Sequence, residues 1–244
     1  MAYKYKNILI VGGVLALAGG ALLMMVYFGL LRFNYPAHEE YPVRGIDVSH
    51  HQGDIDWEAL KGEDLRFVFM KATEGGDFKD RKFAFNWKEA KKAGLEIGAY
   101  HFFTFCKSGR EQAKNFTETV PFDSSAMPPV IDLEFGGNCR LAKPDNEIIM
   151  EIDTLQTVLF ETYKKRPVLY VTKEFYERFM IGRFLENPIW FRDIFNEPVL
   201  PDNRNWHFWQ YSNRGRLSGV EGYVDLNVFW GTGEDFFGFI KGSE

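Results

Sequence analysis

The stretch from Pro129 to Gly137 constrains the fold of this chain more than any other. It reads Pro-Val-Ile-Asp-Leu-Glu-Phe-Gly-Gly, so apolar, β-favouring residues lead into an Asp-x-Glu pair and then into two glycines. A short apolar run that ends at turn residues is typical of a buried strand. Residues two apart on a strand share a face, with Cα atoms ~6.5 Å apart, so Asp132 and Glu134 are predicted to point together into a cleft.

A pair of neighbouring carboxylates has a chemical consequence. Ionising both groups costs free energy because two adjacent negative charges repel each other, so one of the two is expected to keep its proton near neutral pH. A carboxylic acid of this kind is what the cleavage of a glycosidic bond requires. The pattern is short, however, and a solvated strand end has the same sequence. The pair therefore supports a functional prediction only if other residues converge on it.

Similar strands recur along the chain, and most of them end in polar residues. The first five alternate with segments of helical periodicity and lie near residues 45–48, 67–72, 97–103, 129–134 and 167–171. Three more are joined by loops without convincing helices and lie near residues 188–191, 207–211 and 224–227. Apolar strands that alternate with amphipathic helices predict an α/β fold, a parallel sheet closed into a TIM-like barrel.

The strand ends carry the candidate functional residues, because the active site of such a barrel lies at the C-terminal ends of its strands. The candidates for catalysis are the acids Glu134, Asp132, Asp47 and Asp225. The candidates for substrate binding are Tyr100, His101, Glu74, Gln210, Trp209 and Tyr170. Trp206 and Trp209 suit stacking on sugar rings and core packing equally well. Four acids that meet at one rim are less easily explained as ordinary solvent-exposed residues than a single pair is.

The N-terminal segment is apolar, since no charged residue occurs at positions 8–31. As a helix, this run is long enough to cross a ~30 Å hydrocarbon layer. Lys4 and Lys6 precede it, which predicts a cytoplasmic N-terminus at residues 1–7 and a transmembrane anchor at 8–31. Residues 32–42 are then a tether, and residues 43–244 form a barrel domain on the periplasmic or cell-surface side.

Two further interpretations of this segment stay open. A cleaved signal peptide is the rival of the anchor, because Ala16-Leu17-Ala18 has the small-x-small form of a cleavage site. Cleavage there leaves an apolar new terminus, which favours a retained anchor. Gly12, Ala16 and Gly20 recur every four residues on one helix face, a spacing that predicts a weak homodimer through the membrane. Glycine is also frequent in membrane helices that do not pair.

Composition and cysteine positions narrow the remaining possibilities. The formal net charge is −5, and no basic face is evident, which argues against nucleic-acid binding. The only cysteines, Cys106 and Cys139, each lie shortly after a predicted strand end. In an exported domain this favours a disulfide, worth ~3 kcal/mol on the chain-entropy model, over two free thiols. No Cys/His set has the spacing of metal ligands, and His50-His51 is only an adjacent pair.

Five blocks of sequence occur in a familiar order. They are Gly-Ile-Asp-Val-Ser at 45–49, Lys-Ala-Thr-Glu-Gly at 71–75, Gly-Ala-Tyr-His-Phe at 98–102, Val-Ile-Asp-Leu-Glu at 130–134, and Trp-Gln-Tyr-Ser at 209–212 with Val-Asp-Leu-Asn at 224–227. Together they resemble the family 25 glycoside hydrolases, the CH-type lysozymes or N-acetylmuramidases, over about residues 43–230. The resemblance implies a (β/α)5(β)3 barrel that acts on the glycan strands of peptidoglycan without a metal or organic cofactor. The bond cleaved is the β-1,4 bond between N-acetylmuramic acid and N-acetylglucosamine.

The resemblance also implies roles for individual residues. Glu134 matches the general acid, Asp132 the carboxylate beside it, and Asp47 and Asp225 the other two acids of the site. Tyr100 matches a tyrosine of the substrate groove. Asp132 is then expected to orient the 2-acetamido group of the substrate, whose carbonyl oxygen attacks the anomeric carbon. A directly attacking Asp and an activated water remain alternatives.

One block departs from the family pattern. After Trp190, many members have a Trp-x-Ala-x-Tyr sequence, whereas this chain continues Phe-Arg-Asp-Ile at 191–194. The charged pair Arg192-Asp193 is expected to contact a peptide stem or to close a salt bridge. The chain also ends without wall-binding repeats, and the membrane anchor is expected to take their place by confining the enzyme beside the wall.

Two alternatives to a muramidase are considered. A non-catalytic glycan-binding barrel is a different class of protein, and it has no need for the acids, all four of which are present here. A hexosaminidase that acts on chitin is a different enzyme on the same barrel.

Overall fold

The computed structural model describes residues 2–27, 31 and 34–242. The chain divides into two compact units, Met1–Tyr35 and Pro36–Glu244. Parts of the predicted cytoplasmic terminus, anchor and tether lie outside the described residues, at positions 1, 28–30, 32 and 33.

The first unit contains one long helix, α1 (Ala2–Tyr27). Within it, the 21 residues of Asn7–Tyr27 are apolar enough to cross a membrane. At 1.5 Å per residue such a segment spans roughly 32 Å, close to the thickness of a bilayer core. A signal sequence has the same character. The anchor, and the homodimer through Gly12, Ala16 and Gly20, therefore stay predictions.

The second unit is built around a closed barrel. Its strands are β1 (Arg44–Val48), β2 (Phe67–Glu74), β4 (Glu96–Phe102), β5 (Val130–Leu133), β6 (Val168–Thr172), β7 (Ile189–Arg192), β8 (Phe208–Gly215) and β9 (Val224–Phe229). Each strand pairs with the next, and the ring closes because β1 pairs with both β2 and β9. The short strand β3 (Phe78–Lys79) folds back on β2 outside the ring. The predicted barrel class is confirmed.

The prediction of an all-parallel sheet is wrong at the last strand. β9 runs antiparallel to both β8 and β1. The connection at residues 216–223 is too short for a parallel crossover, which needs a dozen or more residues. Asp225 therefore lies at the start of β9, and the reversal brings it opposite Asp47 of β1. Asp225 thus lies at the predicted rim, but at the N-terminal end of its strand and not at the C-terminal end.

The helices surround the barrel. They are α2 (Trp57–Leu60), α3 (Phe83–Lys92), α4 (Gly109–Thr117), α5 (Asp145–Tyr163), α6 (Lys173–Phe175) and α7 (Gly233–Lys241), with a 3₁₀ turn at His50–Gln52 and a π turn at Tyr176–Met180. The predicted capping box of α4 is confirmed, since Ser108 accepts from the backbone of Glu111 and Glu111 bonds back to it. Helix α7 has no counterpart among the predicted elements. Its own capping box joins Thr232 and Asp235.

The barrel interior is filled by large rings at the end opposite the candidate site. Phe67, Phe208 and Phe229 pack there against Phe236 of α7, with ring centroids 5.2–6.4 Å apart. A side chain at Gly45 would collide with the ring of Phe67, which explains why glycine stands at that position. The filled interior restricts any substrate site to the other rim.

The barrel unit begins before the predicted boundary at residue 43. Tyr41 is buried, and its hydroxyl donates to the carboxylate of Glu197 at 2.6 Å. The guanidinium of Arg44 donates to the carbonyl oxygen of Pro36 at 2.7 Å. These contacts place residues 36–42, assigned to the tether from the sequence, against the start of the barrel.

Candidate active site

A cavity of about 690 Å³ opens at the rim where the parallel strands end. Eight of the ten sequence-predicted site residues line it: Asp47, Glu74, Tyr100, Asp132, Glu134, Tyr170, Gln210 and Asp225. Arg192 of the charged pair also lines it, as do residues without a predicted role, including Ser49, His51, Lys71, Trp190 and Asn213. The structure thus brings all four acids together.

Asp47 forms the floor of the cavity and is held by two amides. Its Oδ2 accepts from Gln210 Nε2 at 2.9 Å and from Asn227 Nδ2 at 2.8 Å. Each amide is oriented by a second partner, because Trp190 Nε1 donates to Asn227 Oδ1 and the Tyr170 hydroxyl donates to Gln210 Oε1. An indole N–H can only donate, which fixes the amide of Asn227. Asp47 is therefore rigidly placed.

Asp47 and Asp225 form one carboxyl pair. Burial raises the pKa of Asp47, although the hydrogen bonds from Asn227 and Gln210 oppose the shift. Burial and the negative charge of Asp47 hold the pKa of Asp225 well above its usual range. The two shifts together favour a proton on Asp225 over one on Asp47.

Asp132 and Glu134 form the second pair. Burial, reinforced by the charge of Glu134, holds the pKa of Asp132 well above its usual range. Burial also raises the pKa of Glu134, and the cations Arg192 and Lys71 oppose that rise. Such a coupled pair titrates as a unit and retains one proton after the other is lost. Oδ1 of Asp132 is buried and has no hydrogen-bond partner within the described part of the chain.

Asn138 positions the segment that carries Glu134. Its amide Nδ2 donates to the carbonyl oxygens of Phe103 at 2.8 Å and Glu134 at 3.1 Å. Nearby, the disulfide between Cys106 and Cys139 joins the loop after β4 to the loop after β5. The predicted disulfide is confirmed, and it stabilises the loop that follows the catalytic candidates.

Two tyrosines supply hydroxyl groups to the cavity. Burial and the surrounding carboxylates hold the pKa values of Tyr100 and Tyr170 well above their usual range. Both side chains therefore stay protonated. Tyr170 already donates its proton to Gln210 and can accept from a polar substrate, whereas Tyr100 can donate to one.

The cavity contains two cations, Lys71, for which the sequence predicted no role, and Arg192, which was expected to contact a peptide stem or to close a salt bridge. Lys71 forms an ion pair with Glu74 at 2.7 Å and lies 4.8 Å from the ring centre of Phe102. Arg192 ends β7 on the same face as Trp190 and points into the cavity. Each lies two residues after an aromatic residue that faces inward, so strand alternation directs both into the cavity once the facing of that aromatic residue is known.

Asp193 does not accompany Arg192 into the cavity. Its carboxylate accepts from the backbone N–H groups of Phe195 and Asn196, both at 2.9 Å. The charged pair expected from the sequence is therefore divided between the cavity and an adjacent turn.

His101 does not line the cavity, and its predicted place in the substrate site is corrected. Tyr100 faces inward, so the next residue of the strand faces outward towards α4. There His101 is fully buried and contacts Thr73 at 2.7 Å and Gln112 at 3.1 Å.

Trp209 is corrected for the same reason, because its neighbour Gln210 faces inward. Its indole donates to the carbonyl oxygen of Asp193 at 2.7 Å, and its ring packs against Tyr41 and Trp206. Trp206 is also buried, and its indole donates to the carbonyl oxygen of Pro198. Both tryptophans therefore stabilise the outer layer of the barrel.

Comparisons with known proteins agree on one family for this chain. The chain matches the family model for glycosyl hydrolases family 25 over residues 46–220. A family 25 glycosyl hydrolase from Bacillus anthracis is 40% identical and superposes with a TM-score of 0.80, covering 86% of this chain and 98% of that chain. The lysozyme of Streptomyces coelicolor is 30% identical, with a TM-score of 0.76 and coverage of 83% and 98%. Lysozyme M1 of Streptomyces globisporus is 34% identical over 208 residues, 78% of this chain and 68% of that protein.

Proposed function

The chain belongs to glycosyl hydrolases family 25 and is a glycoside hydrolase, and from this premise we propose that it is a muramidase of peptidoglycan. The bond cleaved is the β-1,4 bond between N-acetylmuramic acid and N-acetylglucosamine. The observation that carries the proposal is the meeting of two carboxyl pairs, Asp132 with Glu134 and Asp47 with Asp225, in one cavity. The similar proteins from two Streptomyces species are lysozymes.

Glu134 acts as the general acid. Its pKa is raised by burial, and the charge of Asp47 contributes in the same direction. A carboxyl group that keeps its proton near neutral pH can protonate the glycosidic oxygen as the C–O bond breaks. The leaving sugar departs with that proton, and Glu134 becomes a carboxylate.

Asp132 assists through the substrate. Its unpartnered, buried Oδ1 suits the N–H of a 2-acetamido group, since a buried acceptor is stabilised by a donor. A donor at Asp132 favours the ionised form of that residue, which leaves the proton of the pair on Glu134. The acetamido carbonyl oxygen then bonds to the anomeric carbon as the leaving oxygen departs. Water subsequently opens this intermediate, and the Glu134 carboxylate accepts its proton.

The substrate-assisted route predicts that the product retains the anomeric configuration of the substrate. Two successive displacements at the anomeric carbon retain its configuration, as does direct attack by an aspartate, whereas a single attack by activated water inverts it. Asp47 and Asp225 support the reaction by holding the negative charge of their pair at a fixed position in the cavity. The amides and tyrosines that surround Asp47 also offer hydrogen bonds to sugar hydroxyls.

The N-terminal helix determines where the enzyme works. We infer that residues 8–31 hold the protein in the cytoplasmic membrane and that the barrel lies outside the cytoplasm beside the wall. Confinement of this kind raises the effective concentration of enzyme at its substrate without additional contacts.

A single substitution tests the proposal. Glu134→Gln in the detergent-solubilised full-length chain should clear purified peptidoglycan about 10²- to 10⁴-fold more slowly, because the amide cannot donate a proton to the leaving oxygen. Glu174→Gln is the matched control, since Glu174 lines the same cavity but is exposed and has no proposed role. Turbidity loss gives the rates, and mass spectrometry of the products should find muramic acid at the new reducing ends.

Two outcomes would contradict the proposal. Equal clearing by the wild type and Glu134→Gln removes the assigned acid, and clearing by neither supports a non-catalytic glycan-binding barrel. Products that end in reducing N-acetylglucosamine identify a different hexosaminidase.

A further inference from the structure

The cavity is lined by more acidic side chains than basic ones. Carboxyl side chains predominate, and the cation Lys71 is already paired with Glu74 at 2.7 Å. Arg192 takes part in none of the ion pairs formed within residues 2–27, 31 and 34–242. It is thus the guanidinium in this cavity that remains available to a ligand.

The backbone fixes the position of Arg192. As the last residue of β7, it is in register with Thr172 of β6 and Gln210 of β8. Trp190, on the same face, is anchored to Asn227 by a hydrogen bond of 2.9 Å. Because the nearest acidic neighbour in sequence, Asp193, caps a turn outside the cavity, it does not neutralise the guanidinium.

An anion that enters this cavity is repelled by the ionised carboxylates of its lining. Arg192 offers the opposite charge and a planar fork of N–H donors that matches a carboxylate. The muramic acid unit of peptidoglycan carries a lactyl group on O3. Its carboxyl is free in a glycan without peptides, and in a glycan with stems it forms an amide to a peptide that has carboxylates of its own. Chitin has the same acetamido groups but no carboxylate.

We propose that Arg192 determines substrate specificity by binding a carboxylate of peptidoglycan, either the free lactyl group or a carboxylate of the peptide stem. The proposal rests on the proposed function, because it names the part of the same substrate that the cavity selects. Arg192 thereby distinguishes muramic acid-containing glycan from chitin.

The test compares three soluble substrates of equal chain length: glycan with free lactyl carboxylates, glycan with stems, and chitin oligosaccharides. The detergent-solubilised full-length enzyme and its Arg192→Gln and Arg192→Lys variants are assayed for kcat/KM. Arg183→Ala is the control for net charge, since Arg183 is exposed and lies outside the cavity. If the wild type does not cleave chitin oligosaccharides, their inhibition constants supply the third comparison.

Arg192→Gln should lose about 10- to 100-fold in kcat/KM on the glycan whose carboxylate is bound, as expected for a charge-assisted hydrogen bond. A loss on the stem-free glycan alone identifies the lactyl group, and a loss on the stem-bearing glycan alone identifies the stem. The values for chitin should change by a smaller factor, because on that substrate Arg192→Gln acts only through the pKa of Glu134. Arg192→Lys should recover part of the loss, because it keeps the charge but not the planar fork.

A neutral substrate completes the test. Converting the bound carboxylate to its amide should lower the wild-type kcat/KM by the same factor, and should change that of Arg192→Gln little. Equal losses by Arg192→Gln on all three substrates, or none on any, would overturn the proposal and leave Arg192 as a counter-charge of the acids. A wild type that cleaves no peptidoglycan contradicts the proposed function instead.

Discussion

His101 shows, at the scale of a single residue, how a buried imidazole stabilises the wall of the barrel. The Thr73 hydroxyl and the Gln112 amide lie 2.7 and 3.1 Å from its two ring nitrogens. Gln112 Oε1 also accepts from the backbone N–H of Thr104 at 2.7 Å, which fixes the orientation of the amide. Nε2 of the ring therefore donates and Nδ1 accepts, as the neutral form requires. Burial lowers the pKa of His101 to about 4.

This pKa predicts a dependence of stability on pH. The folded-state pKa lies below the ordinary value of 6.5, so the stabilisation is complete above pH 6.5 and is lost as the pH falls towards about 4. The free energy of unfolding of the wild type, relative to that of His101→Gln, should fall by about 3 kcal/mol across this range. Urea unfolding of residues 36–244 at a series of pH values measures the difference. Burial also lowers the pKa of His207 to about 4, but both proteins keep this residue, so its contribution cancels in the difference.

His38→Gln is the control for this experiment, since the side chain of His38 is 58% exposed. His101→Gln should change the dependence of stability on pH more than His38→Gln does. If the wild type and His101→Gln lose stability in parallel, the buried imidazole does not carry the effect.

The sequence predicted correctly which strand ends bring acidic residues to the cavity. It did not predict which of two adjacent residues on a strand faces inward. Asp132 and Glu134 are two apart, and both line the cavity. Tyr100 and His101 are adjacent, so they cannot both face inward. Both faces of a barrel strand are buried, so hydrophobicity does not reveal which one points inside. Arg192 was noticed for its charge, but its inward direction follows only from the packing of Trp190.

Elements at the end of the chain were harder to predict than those at its beginning. The first strands and helices alternate regularly, because a parallel crossover usually contains a helix. After β7 this alternation ends: β8 joins in parallel through residues 193–207 without a helix, and β9 joins in the antiparallel direction through a short loop. Helix α7 lies beyond the last predicted strand, so nothing in the strand-helix alternation requires it.

Helix α7 nevertheless closes the barrel. Phe236 is almost fully buried against Phe67, Phe208 and Phe229, whereas its neighbour Phe237 is 55% exposed. Phe236→Ala should therefore reduce the free energy of unfolding by about 3–5 kcal/mol, through lost contacts and the cavity left behind.

Phe237→Ala removes the same atoms from the adjacent position, so it serves as the matched control. Its cost should stay within about 0.5 kcal/mol, as is usual for surface substitutions. Urea unfolding of both variants measures the contrast. Similar costs for the two would show that α7 does not close the barrel in solution.

At the scale of the whole molecule, the two ends of the barrel have different tasks. The cavity opens at the rim where the parallel strands end, while residues 36–43 join β1 at the opposite rim. Within the barrel unit, the chain therefore enters the barrel at the end away from the cavity, and none of residues 36–43 lines the cavity.

If the N-terminal helix is a retained membrane anchor, the protein should fractionate with the membrane. The full-length chain, expressed in a bacterium, should remain in the membrane pellet after an alkaline wash, with an intact mass that includes residues 1–18. Leu17→Arg should release it from the pellet, because a charge near the centre of Asn7–Tyr27 costs about 2.5–3.5 kcal/mol of insertion free energy. Phe237→Arg adds the same charge to an exposed site of the barrel and should leave the protein in the pellet. A soluble wild type whose mass begins at Gly19 would instead identify Ala16-Leu17-Ala18 as a signal-peptidase site, and the helix as a segment removed on export.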